Sequence, residues 1–169
     1  MSKSAIFPQQ LQKLGEERFS ALYGQRTINK KIVQLLGLSD FAWRCLDAQP
    51  ELIDMLLCEH EMSLRDCPCP FLDFDLTELE EAAGYKILRQ YRQRYWLKVA
   101  FLDLCCSNEI ADSINYISQL ADSLINGANQ WAFSQVAKVN GQPVDEQGNP
   151  IPMLVLGMGK LGGRELNYS

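Results

Sequence analysis

The chain has 169 residues, 47% of them apolar and 22% charged, with a formal net charge of −5. That is enough apolar sequence for one domain with a real core, and a mixed, mildly acidic balance argues against a general nucleic-acid binder. No stretch approaches the run of about 18 apolar residues that suggests a membrane span. The N-terminal "MSKSAIFPQQ" has no apolar signal core, so the expectation is a soluble, cytoplasmic protein without a nucleic-acid or membrane partner.

The first 140 residues read as helices. "QQLQKLGEERFSAL" is a short amphipathic segment with Leu11, Leu14 and Leu22 near one face. Thr27 can cap a second helix that ends at Gly37. Ser39 can cap a third, "DFAWRCLDAQ", which must stop near Pro50. Pro50 then suits the first turn of a fourth, "ELIDMLLCEH". The breaker-rich "RDCPCPFLDFD" follows as a connection.

Six cysteines, Cys45, Cys58, Cys67, Cys69, Cys105 and Cys106, do not read as a disulfide framework in a chain of this length without an export signal. A metal site built from Cys58, His60, Cys67 and Cys69 is the sharper alternative. Its C-x-C spacing, interleaved with proline, is not the usual C-x2-C knuckle, so no metal site is expected and the cysteines are read as reduced. His60 suits a helix's last turn, where a cation is favourable.

Two long helices come next. Thr77 and Glu80 form a T-x-x-E capping box, opening a helix that runs to about Cys106. On it Leu88, Tyr91, Tyr95, Val99 and Leu102 fall on one stripe at helical spacing, and that stripe should face the core. Arg89 and Arg92 flank one side of the stripe, Arg94 and Lys98 the other. These cations form either a solvated helix face or a surface that meets an acidic partner or a phosphate. The next helix, from about Asn108 to Val139, carries Ile110, Ile114, Ile117, Leu120, Leu124 and Ile125 on its buried side, continued by Trp131.

"NGQPVDEQGNPIP" is the one clear change of composition and reads as a loop. "MLVL" after it is short and continuously apolar, as a buried strand would be. Gly157, Gly159 and Gly162 satisfy G-x-G-x-x-G, a weak fingerprint without a following helix, a second strand and an acidic residue. A Walker A loop fits worse, because Gly163 rather than a lysine follows Gly162. Glycines after a strand allow positive φ and close backbone approach, and exposed amides beside Lys160 favour phosphate. A tight turn with no ligand is the plainer alternative.

"LGMGKLGGRELNYS" resembles the first nucleotidyltransferase motif of the bifunctional glutamine synthetase adenylyltransferase/adenylyl-removing enzyme family. "LRQYRQRYWLKVAFLDL" looks like that family's arginine-rich helix, and "ISQLADSLINGANQW" is similar to the helix after it. Order and spacing agree from about residue 76 onward. The resemblance implies a mainly α chain, with a helical N-terminal arm over 1–140 and a linker loop over 141–152. Residues 153–169 would then carry the first strand and glycine-rich turn of an α/β nucleotidyltransferase core. In the family the motif continues into S-D-x-D, whose aspartates hold the metal.

The resemblance also implies an activity: the N-terminal half removes AMP from a tyrosine of glutamine synthetase by phosphorolysis, giving ADP. The full-length enzyme is expected to use Mg2+ and to answer to a PII-type signalling protein. Gly162 and Gly163 match the motif's small pair and are the candidates for nucleotide or phosphate approach, with Lys160 beside them. Gly157 and Gly159 shape the turn, while Glu165 and Asn167 hold the following helix. No D-x-D pair accompanies the turn, so the 169 residues alone are expected to be inactive and to hold no metal. A non-catalytic helical module that binds a partner through Arg89, Arg92, Arg94 and Lys98 is the alternative, and a dinucleotide-binding domain a third reading.

Overall fold

The structure, a computed structural model, describes residues 8–24, 26–59, 63–67, 76 and 78–166. His60, Cys69, Thr77 and Asn167 lie outside the described residues. The elements are α1 (Gln9–Tyr23), α2 (Lys30–Leu38), α3 (Asp40–Ala48), α4 (Leu52–Glu59), α5 (Glu81–Cys105), α6 (Ile110–Asn140) and the single turn α7 (Gly159–Gly162). The chain divides into two compact units, one of Met1–Cys67 with Gln93–Ser113, the other of Pro68–Arg92 with Ile114–Ser169.

In the first unit local chemistry sets the helix ends. Asn29, not Thr27, caps α2: its Oδ1 accepts from the amides of Lys31 and Ile32 at 3.0 and 3.2 Å, satisfying two of the donors a helix start leaves open. Ser39 caps α3 as expected, its Oγ accepting from Ala42 N at 3.1 Å. α2 runs one residue past Gly37, to Leu38. Gly15 of α1 lies against α2 so closely that a Cβ there would stand 2.1 Å from the Val33 carbonyl oxygen. Arg18 donates to the Leu36 carbonyl at 2.7 Å, pairs with Asp40, and stacks 5.6 Å from the Trp43 ring. One guanidinium thereby fastens the end of α2 to the start of α3.

The core of this unit includes Phe19, Ile32, Leu35, Leu46, Ile53 and Leu56, all 1% exposed or less. The α1 face differs from expectation: Leu14 is exposed, whereas Gly15 and Phe19 are buried. From Leu97 to Leu102 every residue of α5 is buried, Lys98 included. That segment is enclosed on all sides, and a one-face stripe does not describe it. Between α5 and α6 the chain turns on a polar knot, in which the Asn108 amide donates to Asp103 at 2.9 Å and to Ser113 Oγ at 2.7 Å.

The second unit holds the first half of α5, most of α6 and the glycine segment. Gly84 of α5 faces Trp131 of α6, and a Cβ at position 84 would meet the indole at 2.4 Å. Trp131 Nε1 and Gln135 Nε2 both donate to the Leu79 carbonyl at 3.2 Å, and Tyr85 packs edge-on against Trp131 with centroids 5.3 Å apart. Ile117, Leu120 and Trp131 are buried as expected, but Ile110 is 77% exposed and Leu124 and Ile125 are only partly covered. α6 stops where Gly141 takes φ +81° and donates to the Ala137 carbonyl at 2.9 Å, the left-handed ending that glycine permits.

Candidate functional site

Residues 141–152 are more ordered than a plain loop. Asp145 Oδ1 accepts from the amides of Gln147 and Asn149 at 2.9 and 2.8 Å, and its Oδ2 accepts from the Asn149 side chain at 2.9 Å. Gly148 supplies the positive φ of +85° that closes the turn. An antiparallel bridge then pairs Val144 with Pro150. The Asn149 side chain first, then the turn amides, hold the Asp145 carboxyl below the usual carboxylate range.

The strand expected over "MLVL" is not formed. Residues 151–158 carry no strand among the described residues, and Leu154 and Leu156 are 79% and 77% exposed. A strand requires a ladder partner, and no described segment supplies one. One contact ties this segment to α6 and a second ties the turn after it. Asn129 donates to the Met153 carbonyl at 3.2 Å, and Arg164 reaches Asp122 at 3.6 Å.

The glycines divide by geometry. Gly159 takes φ +57° and starts α7. A Cβ at Gly162 would stand 2.5 Å from the Gly157 carbonyl oxygen, and one at Gly163 would stand 3.3 Å from that of Gly159. Gly162 is therefore required by the turn's own closure, whatever else approaches it. α7 ends in two reverse hydrogen bonds, Glu165 N to Lys160 O at 2.8 Å and Arg164 N to Leu161 O at 3.2 Å. That pattern normally places glycine in the left-handed position; here Arg164 occupies it at φ 55°. Lys160 and Glu165 are exposed on the same turn.

The described residues do not fit a magnesium site at this turn. No group of three His, Cys, Asp or Glu side chains among them could hold a metal ion, and the Asp145 carboxylate is already taken up by its own turn. Cys58 is exposed and Cys67 half-buried, both free thiols, while His60 and Cys69 of the same stretches are outside the described residues.

Arg89, Arg92, Arg94 and Lys98 of α5 part company. Arg89 and Arg92 are exposed and line one groove of about 660 Å³ with Tyr85, Leu88, Leu124 and Ile125, all in the second unit. Arg94 belongs to the first unit, its Nε 3.3 Å from Met55 Sδ and its guanidinium 6.0 Å from the Tyr95 ring. Lys98, 4% exposed, is withdrawn from solvent in that unit. Sequence spacing missed Gly84, Asn129 and Asp122, whose roles depend on contacts across long chain separations.

These features define a predominantly helical protein whose long helices α5 and α6 lead into a compact glycine turn. The chain belongs to the glutamate-ammonia ligase adenylyltransferase family, whose model matches residues 29–169. It is 39% identical over 143 residues to the bifunctional glutamine synthetase adenylyltransferase/adenylyl-removing enzyme of Shewanella loihica, covering 83% of this chain and 15% of that protein. The Shewanella woodyi protein of the same name is 34% identical over 169 residues, covering 97% of this chain and 16% of its own length. In Pasteurella multocida the similarly named protein is 38% identical over 138 residues, 79% of this chain and 14% of that one. The chain thus spans about 15% of the length of the curated relatives it matches. Among the described residues no helix is long and apolar enough to cross a membrane.

Proposed function

We propose that this chain is part of a cytoplasmic enzyme that controls glutamine synthetase by adenylylation and deadenylylation. We place it in the half that removes AMP from an adenylylated tyrosine. The family match over residues 29–169, which takes in the glycine turn, carries this reading. In the reaction a phosphate oxygen attacks the AMP phosphorus, the bond from phosphorus to the tyrosyl oxygen breaks, and the products are ADP and glutamine synthetase with its tyrosine hydroxyl restored. Such in-line transfer depends on positioning and on donors aimed at the phosphoryl oxygens.

Within this chain the arm is residues 1–140, the linker 141–152, and the start of the nucleotidyltransferase core 153–169. The backbone at Gly162 and Gly163 is the proposed point of nucleotide or phosphate approach, with Lys160 as the adjacent cation and Gly157 and Gly159 shaping the turn. Mg2+ belongs to the full-length enzyme, and no step is assigned to it here because the described residues do not fit a site for it. Glutamine synthetase and a PII-type signalling protein are the proposed partners of the whole enzyme.

The 169 residues alone are proposed to be inactive. Adenylylated glutamine synthetase, phosphate and magnesium should yield ADP with the full-length enzyme, and none above blank with the 169-residue chain. ADP from the short chain would overturn this reading.

A second reading, a helical module that docks a partner, is favoured by one observation: Arg89 and Arg92 line a common apolar groove. It applies whether or not the chain also takes part in catalysis.

A further inference from the structure

We infer that the groove between α5 and α6 in the second unit docks an amphipathic helix that carries carboxylates beside its apolar stripe. The inference rests on the partner-docking reading and gives that partner its chemistry. The groove is lined by the half-buried Leu88, Leu124, Ile125 and Ala128 together with the exposed Tyr85, Arg89 and Arg92. Leu124 and Ile125 sit on α6 at positions whose spacing fits a core, yet they remain partly open. An apolar lining of this kind is covered by an apolar counterpart.

The arginines decide the rest. Two other cations of the same unit have carboxylate partners, Lys138 with Glu78 at 3.3 Å and Arg164 with Asp122 at 3.6 Å, whereas Lys86, exposed on α5, has none among the described residues. Arg89 and Arg92 make no ion pair among the described residues. Three residues apart on one helix, they stand roughly 5–6 Å apart at Cβ, a spacing that suits successive carboxylates on a partner helix. Arginine and tyrosine lining an apolar depression are also the residue types that dominate binding energy at interfaces.

The groove is preformed. Gly84 lets the Trp131 indole approach α5, Trp131 and Gln135 grip the Leu79 carbonyl, and Tyr85 rests against Trp131. The spacing of α5 and α6 beside the groove is therefore set before any partner arrives, which lowers the ordering cost of binding. An open trough between two helices matches a helix-in-groove mode of recognition.

The test uses the whole 169-residue chain and a labelled synthetic peptide of about 15–20 residues, long enough to fold on docking. The peptide carries leucines at i, i+3, i+4 and i+7 flanked by glutamates. Its control has every glutamate replaced by lysine. Fluorescence anisotropy should show the acidic peptide binding at least about tenfold tighter than the control, and weakening as salt is raised. In the doubly substituted Arg89→Glu/Arg92→Glu chain, checked for native helicity by circular dichroism, the preference should invert.

Equal affinity for the two peptides, or an unchanged preference in the double variant, would overturn the inference. So would loss of the acidic peptide to inorganic phosphate at matched ionic strength, which would leave a simple anion site. Self-association abolished by the double substitution would assign the groove to a second copy, against the proposal. Binding of the chain to glutamine synthetase that ignores both arginines would keep the docking reading while removing this groove from it.

Discussion

Gly84 and Trp131 occupy one space: the indole of Trp131 lies where a side chain at position 84 would begin, 2.4 Å from the ideal Cβ. A helix interior ordinarily favours alanine over glycine by about 1 kcal/mol, so glycine at this position costs helix stability and is matched by what the close approach permits. The approach lets Trp131 Nε1 reach the Leu79 carbonyl at 3.2 Å, satisfying a buried donor.

Substituting Gly84→Ala should therefore destabilise the protein despite the gain in helix propensity. Overpacking of this kind costs about 1–3 kcal/mol, leaving a net loss of up to about 2 kcal/mol after the propensity gain of about 1 kcal/mol. Chemical denaturation followed by tryptophan fluorescence reads the change. The same substitution in a Trp131→Leu background should cost little, because the clash is gone. A wild-type midpoint for Gly84→Ala would show that the indole does not hold its place against α5.

Thiol reactivity should sort by burial. Cys58 is exposed, whereas burial pushes the Cys45 thiol up to about 11 against a smaller opposing effect of Arg44. Burial, then the neighbouring Cys106, raises Cys105 to about 12, with Lys31 acting the other way. In the native protein at neutral pH, Cys58 should react with a thiol probe well before Cys45 or Cys105, since the thiolate is the nucleophile. The linkage has a definite sign. Both folded values are raised from 9.0, so the stability they contribute is full below pH 9 and is lost as pH rises toward 11 and 12. Denaturation midpoints should fall across that window, and less so in the Cys45→Ala/Cys105→Ala variant relative to its own neutral-pH value. Peptide mapping that finds Cys45 labelled first would contradict the burial assignment.

Asp145 should act as the clasp of the turn before the glycine segment. Its carboxyl is held low by the Asn149 side chain and the turn amides, so its contribution is present above the unfolded carboxylate value and is lost as pH falls through the depressed folded value. The Gln147 and Asn149 amides should exchange slowly near neutral pH and lose protection on acidification. Asp145→Ala should abolish that protection at every pH without disturbing α5 or α6. Unchanged exchange in the variant would remove the clasp.

Much of the helical scheme was legible because its signals are local. Ser39 caps α3 as residue chemistry alone requires, and Gly141 ends α6 within a composition change visible in the sequence, whereas Pro50, expected in the first turn of α4, lies two residues ahead of its start at Leu52. Thr27 and Asn29 are both good caps two residues apart, and only the side-chain geometry separates them. What failed depends on distant chain. Periodicity assumes one buried face, so it could not show that residues 97–102 are enclosed all round and that Lys98 is buried with them. The pairing of Trp131 with Leu79 spans 52 residues, and nothing local in "EAAG" announces that Gly84 leaves room for an indole. "MLVL" has the composition of a strand, but strand formation is settled by a partner edge and not by composition.

The glycine turn gives the most direct test of the proposed assignment. In the full-length enzyme, Gly162→Ala would set a methyl group against the Gly157 carbonyl oxygen, 2.5 Å from the ideal Cβ, and displace the backbone that is proposed to meet nucleotide or phosphate. A misplacement of about 1 Å in such a site can cost on the order of 100-fold in rate. The measurement is to assay both reactions of that variant on glutamine synthetase, phosphorolytic removal of AMP and its transfer from ATP. The account predicts that removal falls by at least about tenfold while transfer stays near wild type. Loss of transfer with removal intact would contradict the placement of this chain in the adenylyl-removing half.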